Sequence, residues 1–347
     1  MAVALPSAEH AAALADWAEL TVMTSQDGYV SAEQLTRLLR SDGTENAEEE
    51  MLSDLDPDEV AEVEIPRDED DDVEDDARVE LLFDEIRFRR QVGERLYPFA
   101  VADQAVVRAP ACGEQVYLLL LVLSAEGTVF RTEGRAHEVE APYDAIALLA
   151  MRRYLGRDAS GVRFARNAAD PDDPETRPTS FPEAIDWLRQ LLGAGEGVRN
   201  SQPPDEDHWE SESRVAQGRP PLRSYSDAGV DVVAWWHFAD GRGGAPVLLA
   251  QCTVQRRWER KLSDIDVHLW GKWIDFKTVP PQTALVIPFA ERLDDPTWED
   301  RTVTAGVIVD RRRLLELLGE LECEPLEALL DEDAVAWLAC EIESLAS

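Results

Sequence analysis

The chain is 347 residues long, 44% apolar and formally -37 at neutral pH, with apolar content sufficient for real cores and a length comfortable for two domains. That charge excludes a plain nucleic-acid binder working through a broadly basic surface, because phosphates would be repelled at long range. No uninterrupted apolar stretch approaches the roughly 20 residues of a bilayer-crossing helix, so no membrane association is expected.

About half of the acidic excess is local, since residues 41–80 hold 20 Asp/Glu against Arg67 and Arg78. The rest is still acidic, so a nucleic-acid site would need a local basic strip or metal ions. The opening MAVALPSAEHAAALADWAEL lacks a basic n-region and carries acids early, which argues against a signal peptide and for the cytoplasm. Cys112, Cys252, Cys323 and Cys340 form no CxxC pair and read as buried reduced thiols. His10, His137, His208, His237 and His268 are equally scattered; none receives a catalytic role.

In chain order, residues 8–22 have helical apolar spacing (Ala12, Leu14, Trp17, Leu20), and Ser31 followed by Gln34 is a capping-box pattern. These N-terminal helices occupy 1–43. Residues 44–77, charge-rich and poor in aromatics, read as a solvated acidic loop or linker. Over 78–166 an α+β unit is expected, for partner binding or regulation: a helix at ARVELLFDEIRFRRQVGERL, strands at YPFAV and QVYLLLLVLS, and a helix at YDAIALLAMRRYLGR. NAADPDDPETRPTS (167–180) reads as a linker.

A second α/β unit is expected over 178–347. FPEAIDWLRQLLG has Ser180 as N-cap, Pro182 in its first turn and an apolar face of Ile185, Leu188, Leu191 and Leu192. GVDVVAWWHFADGRGGAPVLLAQCTV (229–254) reads as a hairpin carrying two odd polar residues, Asp231 and Gln251. TVQRRWERKL predicts a short helix start, TALVIPFA and TVTAGVIVD predict core strands, and RRRLLELLGELE and PLEALLDEDAVAWLACEIESL predict helices.

The order Glu183 on a helix, Asp231 in a strand, then Gln251-x-Thr253 in the paired strand resembles the PD-(D/E)xK, or restriction-endonuclease-like, nuclease core, and within it the Mrr-type QxK variant. The resemblance spans roughly residues 180–290. It implies a mixed sheet flanked by helices in the C-terminal half; the first half, from its own periodicity, reads as an α-rich domain with a few strands. It also implies a Mg²⁺ or Mn²⁺ ion bound by Asp231, Glu183, the Gln251 amide oxygen and the Cys252 carbonyl, because phosphodiester hydrolysis uses a hard cation on oxygen ligands. Thr253 stands where that family places its lysine and cannot supply the positive charge. Lys261 is then the candidate to supply it from the following segment, with Arg256 and Arg257 less suited as proton carriers.

Arg256, Arg257, Arg260 and Lys272, interleaved with Trp258, Trp270, Trp273 and Phe276, form the locally basic segment, suited to phosphates and stacked bases. The plainer reading puts Trp270 and Trp273 in the core with the arginines solvating an edge. Gln251 alone reads as a hydrogen-bonded core polar group, Glu183 as a residue favoured by the helix dipole, and Asp227 as a turn residue. The resemblance implies a metal-dependent nuclease acting on DNA before RNA, with a protein partner, as in prokaryotic antiphage defence or restriction systems. The alternative is an inactive nuclease-like scaffold or an acidic DNA mimic.

Overall fold

A computed structural model describes residues 10–39, 69–125, 136–165, 176–193, 227–240, 244–276 and 279–345. The described residues are mixed α/β, with a three-stranded and a five-stranded sheet. Most of the acidic segment (44–68) and most of the linker expected after 166 lie outside the described residues. Among the described residues no helix is long and apolar enough to cross a membrane.

The opening follows local chemistry. Helix α1 (Ala11–Thr24) buries Leu14, Trp17 and Leu20. After strand β1 (Tyr29–Ser31), the hydroxyl of Ser31 accepts from the Gln34 N–H at 3.2 Å while Gln34 Oε1 accepts from the Ser31 N–H at 2.8 Å. This reciprocal cap starts helix α2 (32–39). Helix α3 (Glu69–Val92) begins inside the acidic run, so residues 69–77 are helical and not part of a loop. The apolar second half of α3 packs on α1. Strands β2 (Phe99–Ala102) and β3 (Ala105–Arg108) form a hairpin whose turn residues Asp103 and Gln104 both have positive φ; the sheet order is β1-β3-β2.

The run QVYLLLLVLS, expected as a strand, is instead helix α4 (Glu114–Ser124). Val116 to Ser124 are all buried, and a helix covered on every side is as continuously apolar as a buried strand. Next in the chain come helix α5 (Ala136–Leu155), strand β4 (Ser160–Arg163), helix α6 (Phe181–Leu192), strands β5 (Val232–Trp235) and β6 (Val247–Cys252), a 3₁₀ turn (Trp258–Lys261), helix α7 (Val267–Trp273) and strand β7 (Gln282–Val286). Helix α8 (Trp298–Ala305), strand β8 (Val307–Val309) and helices α9 (Arg311–Gly319), α10 (Cys323–Glu327) and α11 (Glu332–Leu345) complete the chain.

TVTAGVIVD is therefore not one strand. It ends α8, turns at Gly306 (φ +81°) and then enters β8; a Cβ at Gly306 would collide with the Thr283 backbone oxygen, so only glycine lets β8 come this close to β7. The sheet order is β4-β5-β6-β7-β8, antiparallel through β6 and parallel from β6 to β8.

Both faces of this sheet are covered. Val232, Ala234, Leu248, Ala250, Ala284 and Val286 turn to the side of α5, in a core that continues without a break through α1, α3 and α4. Val233, Trp235, Val247 and Leu249 turn to α6 and to Trp270 and Trp273 of α7. The boundary expected between residues 166 and 178 thus cuts through one unit: β4, before it, is a strand of the large sheet, and α5, also before it, packs on β5.

A buried ionic cluster ties α1, α3 and α9 together. Arg89 of α3, fully buried, donates to Glu19 (2.8 Å), Asp16 (2.6 Å) and Glu85 (2.7 Å). Arg311 of α9 donates to Asp16, and Arg312 pairs with Glu85 at 2.8 Å through both guanidinium arms. Glu19 also accepts from the hydroxyls of Tyr97 and Tyr117, each at 2.5 Å. Removing one member of such a cluster strands a charge away from water, at about 3–5 kcal/mol. The expectation of four reduced thiols is also corrected: Cys112 and Cys323 form a disulfide with Cα atoms 5.4 Å apart, fastening α10 beside the start of α4. Cys252 and Cys340 are free.

Candidate functional site

Asp231 sits one residue before β5 and is pinned by backbone on two sides. Its N–H donates to the Ala250 carbonyl at 2.9 Å, and its own carbonyl accepts from Phe164 (2.6 Å) and Ala165 (3.0 Å), just past β4. The register pairs Val232 with Ala250, which sets Asp231 across from Gln251. The Asp231 carboxylate accepts the Cys252 N–H at 2.7 Å. Burial pushes the Asp231 carboxyl well above the usual carboxylate range, and the charge of Asp144 pushes it further; the Cys252 N–H opposes this.

The helix carboxylate next to Asp231 is Asp144 of α5, and not the expected Glu183. Glu183 is exposed at the start of α6, where its N–H is capped by the Ser180 hydroxyl at 3.4 Å. An acidic residue in the first turn of a helix is favoured by the dipole whatever its function. Asp144 is only 5% exposed, and the Cys252 thiol donates to it. Burial, Asp144 and Asp231 all raise the thiol's pKa, so Cys252 is no nucleophile. A signal for Asp144 was present in the sequence: Asp144, Ala147 and Met151 follow i, i+3, i+7 spacing, which puts a charge on the buried face of a helix.

Strand alternation sends Gln251 and Cys252 to opposite faces. Gln251 therefore does not join Asp144; its amide nitrogen donates to Asp264 Oδ2 at 3.2 Å, and its oxygen is buried with no protein partner. Lys261 Nζ donates to the same Asp264 oxygen at 2.9 Å, and its charge reaches Asp231, lowering that carboxyl. Gln251 and Lys261 line a small cleft with Leu262, Ile265, Thr283 and Leu285. Thr253 is buried, and its hydroxyl accepts from the Gln255 N–H at 3.2 Å, the work of a turn residue. Asp227 likewise closes its turn by accepting from Gly229 at 3.0 Å.

The basic segment divides. Arg256 donates to the Ser124 carbonyl at 2.7 Å and lies over the Phe289 ring, so it fastens its loop to the end of α4 instead of offering itself to a phosphate. Arg257, Arg260 and Lys272 are exposed. Trp258, Trp270 and Trp273 are core residues, in line with the plainer reading, and stack no base.

What emerges is a mixed sheet with two carboxylates converging at one end and a lysine, an amide and a third carboxylate joined nearby. Among the described residues no group of three His, Cys, Asp or Glu is arranged to hold a metal ion. No protein-family model, no curated protein and no solved structure matches the chain.

Proposed function

We propose that the chain is a divalent-metal-dependent nuclease with a restriction-endonuclease-like core, its carboxylates being Asp144 and Asp231. The observation that carries this reading is the order α5-β4-α6-β5-β6-α7-β7, with Asp144 on the first helix, Asp231 at the mouth of β5 and Gln251-Cys252-Thr253 ending the adjacent antiparallel strand. That arrangement supports the PD-(D/E)xK resemblance once Asp144 of α5 replaces Glu183 and α6 is taken as an insertion between β4 and β5.

The donor set fits Mg²⁺ or Mn²⁺. Asp231 and Asp144 disfavour each other as anions, and a hard cation between oxygen ligands relieves both burial and repulsion. Asp231, Asp144 and the Cys252 carbonyl would hold it, while the buried Gln251 oxygen lies on the other face and stands outside that set. Such an ion supplies a low-pKa water and neutralises phosphate charge. Lys261 contributes the positive charge that Thr253 cannot, and Arg257, Arg260 and Lys272 offer exposed cations to a DNA or RNA backbone. As an effector in a prokaryotic antiphage or restriction system, the nuclease would work beside a protein partner; that setting is an analogy of fold.

A second reading, an inactive nuclease-like scaffold or acidic DNA mimic, is favoured by Thr253 in the lysine's position and by the absence of a three-ligand cluster among the described residues. The two separate when purified protein is incubated with plasmid, single-stranded DNA and RNA in Mg²⁺ or Mn²⁺, beside Asp231→Ala and Lys261→Ala. Cleavage that disappears with Asp231→Ala supports the nuclease. Equal residual cleavage in all preparations marks a contaminant and favours the scaffold.

A further inference from the structure

We infer that Asp264 is a positioning residue, holding the ammonium of Lys261 and the amide of Gln251 together at the Asp231 end of the β5–β6 hairpin. The inference rests on the nuclease reading of this site and adds to it a residue that the family resemblance does not supply. One carboxylate oxygen, Asp264 Oδ2, accepts from both Lys261 Nζ (2.9 Å) and Gln251 Nε2 (3.2 Å). The Asp264 N–H donates to the Lys261 carbonyl at 3.1 Å, so the turn and the ion pair close on each other.

The third contact comes from the segment that leads into Asp231. Gly229 has φ +78°, and a Cβ there would lie 2.8 Å from the Asp264 carbonyl oxygen. The approach to β5 is therefore packed directly on the backbone of Asp264. A single residue thus touches the strand carrying Gln251, the turn carrying Lys261 and the loop carrying Asp231.

The consequences follow from side-chain chemistry. Lysine is a compact charge on a flexible stem that stays in solvent unless tethered. Side by side on one oxygen, the two donors fix the lysine's place and also fix which way the amide is turned. Because Gln251 gives its nitrogen to Asp264, its oxygen faces away, buried and without a protein partner, at the cleft that Lys261 also lines. Asp264 touches neither substrate nor metal in this scheme and acts through the two groups it holds.

The chain has three lysines in all, Lys261, Lys272 and Lys277, so amine labelling read by peptide mass spectrometry reports Lys261 against two internal references. In the full chain, Asp264→Asn and Asp264→Ala are expected to raise the labelling rate of Lys261 several-fold relative to Lys272 and Lys277, with Asp264→Glu returning it toward wild type. With nucleic acid as substrate, the same two variants are expected to lose about 10–100-fold in kcat with KM little changed. Combining Asp264→Asn with Lys261→Gln should cost no more than Lys261→Gln alone.

Unchanged Lys261 labelling in Asp264→Asn overturns the inference, whatever the activity does. A wild-type protein that cleaves nothing, while Lys261 labelling still depends on Asp264, overturns the nuclease reading and leaves the positioning role standing. Full kcat in a folded Asp264→Ala overturns the role in catalysis and leaves the nuclease reading intact.

Discussion

Asp144 and Asp231 meet through Cys252, whose thiol donates to the first carboxylate and whose backbone N–H donates to the second. Each presses negative charge on the other in a site largely screened from water. A folded protein keeps such a pair at a cost in stability, and that is the usual mark of a group retained for what it binds.

Asp231→Asn is expected to stabilise the metal-free protein at neutral pH, by on the order of 1–3 kcal/mol. The sign follows from the raised folded-state pKa: the contribution of Asp231 is favourable below its unfolded value and is lost as pH rises through the folded one. The gain should therefore shrink in acid. Thermal melts at neutral and acidic pH measure it, and Mn²⁺ should raise Tm in wild type only. A loss of stability equal at both pH values would count against the paired-carboxylate site.

Asp144→Asn is expected to lower phosphodiester cleavage on the order of 10²–10³-fold, while Glu183→Gln stays near wild type. The range is that of losing a group that stabilises charge in the transition state. Initial rates under single-turnover conditions distinguish the two, and the reverse ranking would restore Glu183 as the helix carboxylate.

Glu85 governs the acid limb of stability. Burial alone would raise its carboxyl, but Arg89 and Arg312 outweigh that and hold it down at about 2. Its contribution is complete above the ordinary carboxylate range and is lost as pH falls through about 2, a difference of about 3 kcal/mol. Glu85→Gln should cost about 3–5 kcal/mol at pH 7 by leaving two buried guanidinium groups short of an anion. Denaturant titrations from pH 7 down to pH 2 should show the gap between wild type and variant closing.

Gly229→Ala is expected to cost on the order of 1–3 kcal/mol, since an L side chain is strained at φ +78° and its Cβ meets the Asp264 carbonyl. Gly271→Ala is the contrast: its Cβ meets nothing within 4 Å, it lies in α7, and the change should stabilise by up to about 1 kcal/mol. Equal effects in chemical denaturation would show that the Gly229 contact carries no weight.

Much of the frame was legible locally. The Ser31–Gln34 cap, the Ser180 cap of α6 and the apolar runs of β5 and β6 each depend on neighbours a few residues away, so side-chain pattern specifies them. Asp231 and Gln251 stood out because a polar residue in an apolar hairpin strand is conspicuous. Leu191 shows the limit: it fits the apolar spacing of α6 and is nonetheless exposed.

By itself the sequence determined the caps, most of the helices and the hairpin that sets Asp231 across from Gln251, because these rest on hydrogen bonds and periodicities within short spans. Only the tertiary structure decided that α4 is a helix, that Cys112 meets Cys323, that Asp144 and not Glu183 approaches Asp231, and that Asp264 gathers Lys261 and Gln251. Each of these depends on which distant surfaces bury one another, and apolar spacing records that a face is covered without recording what covers it.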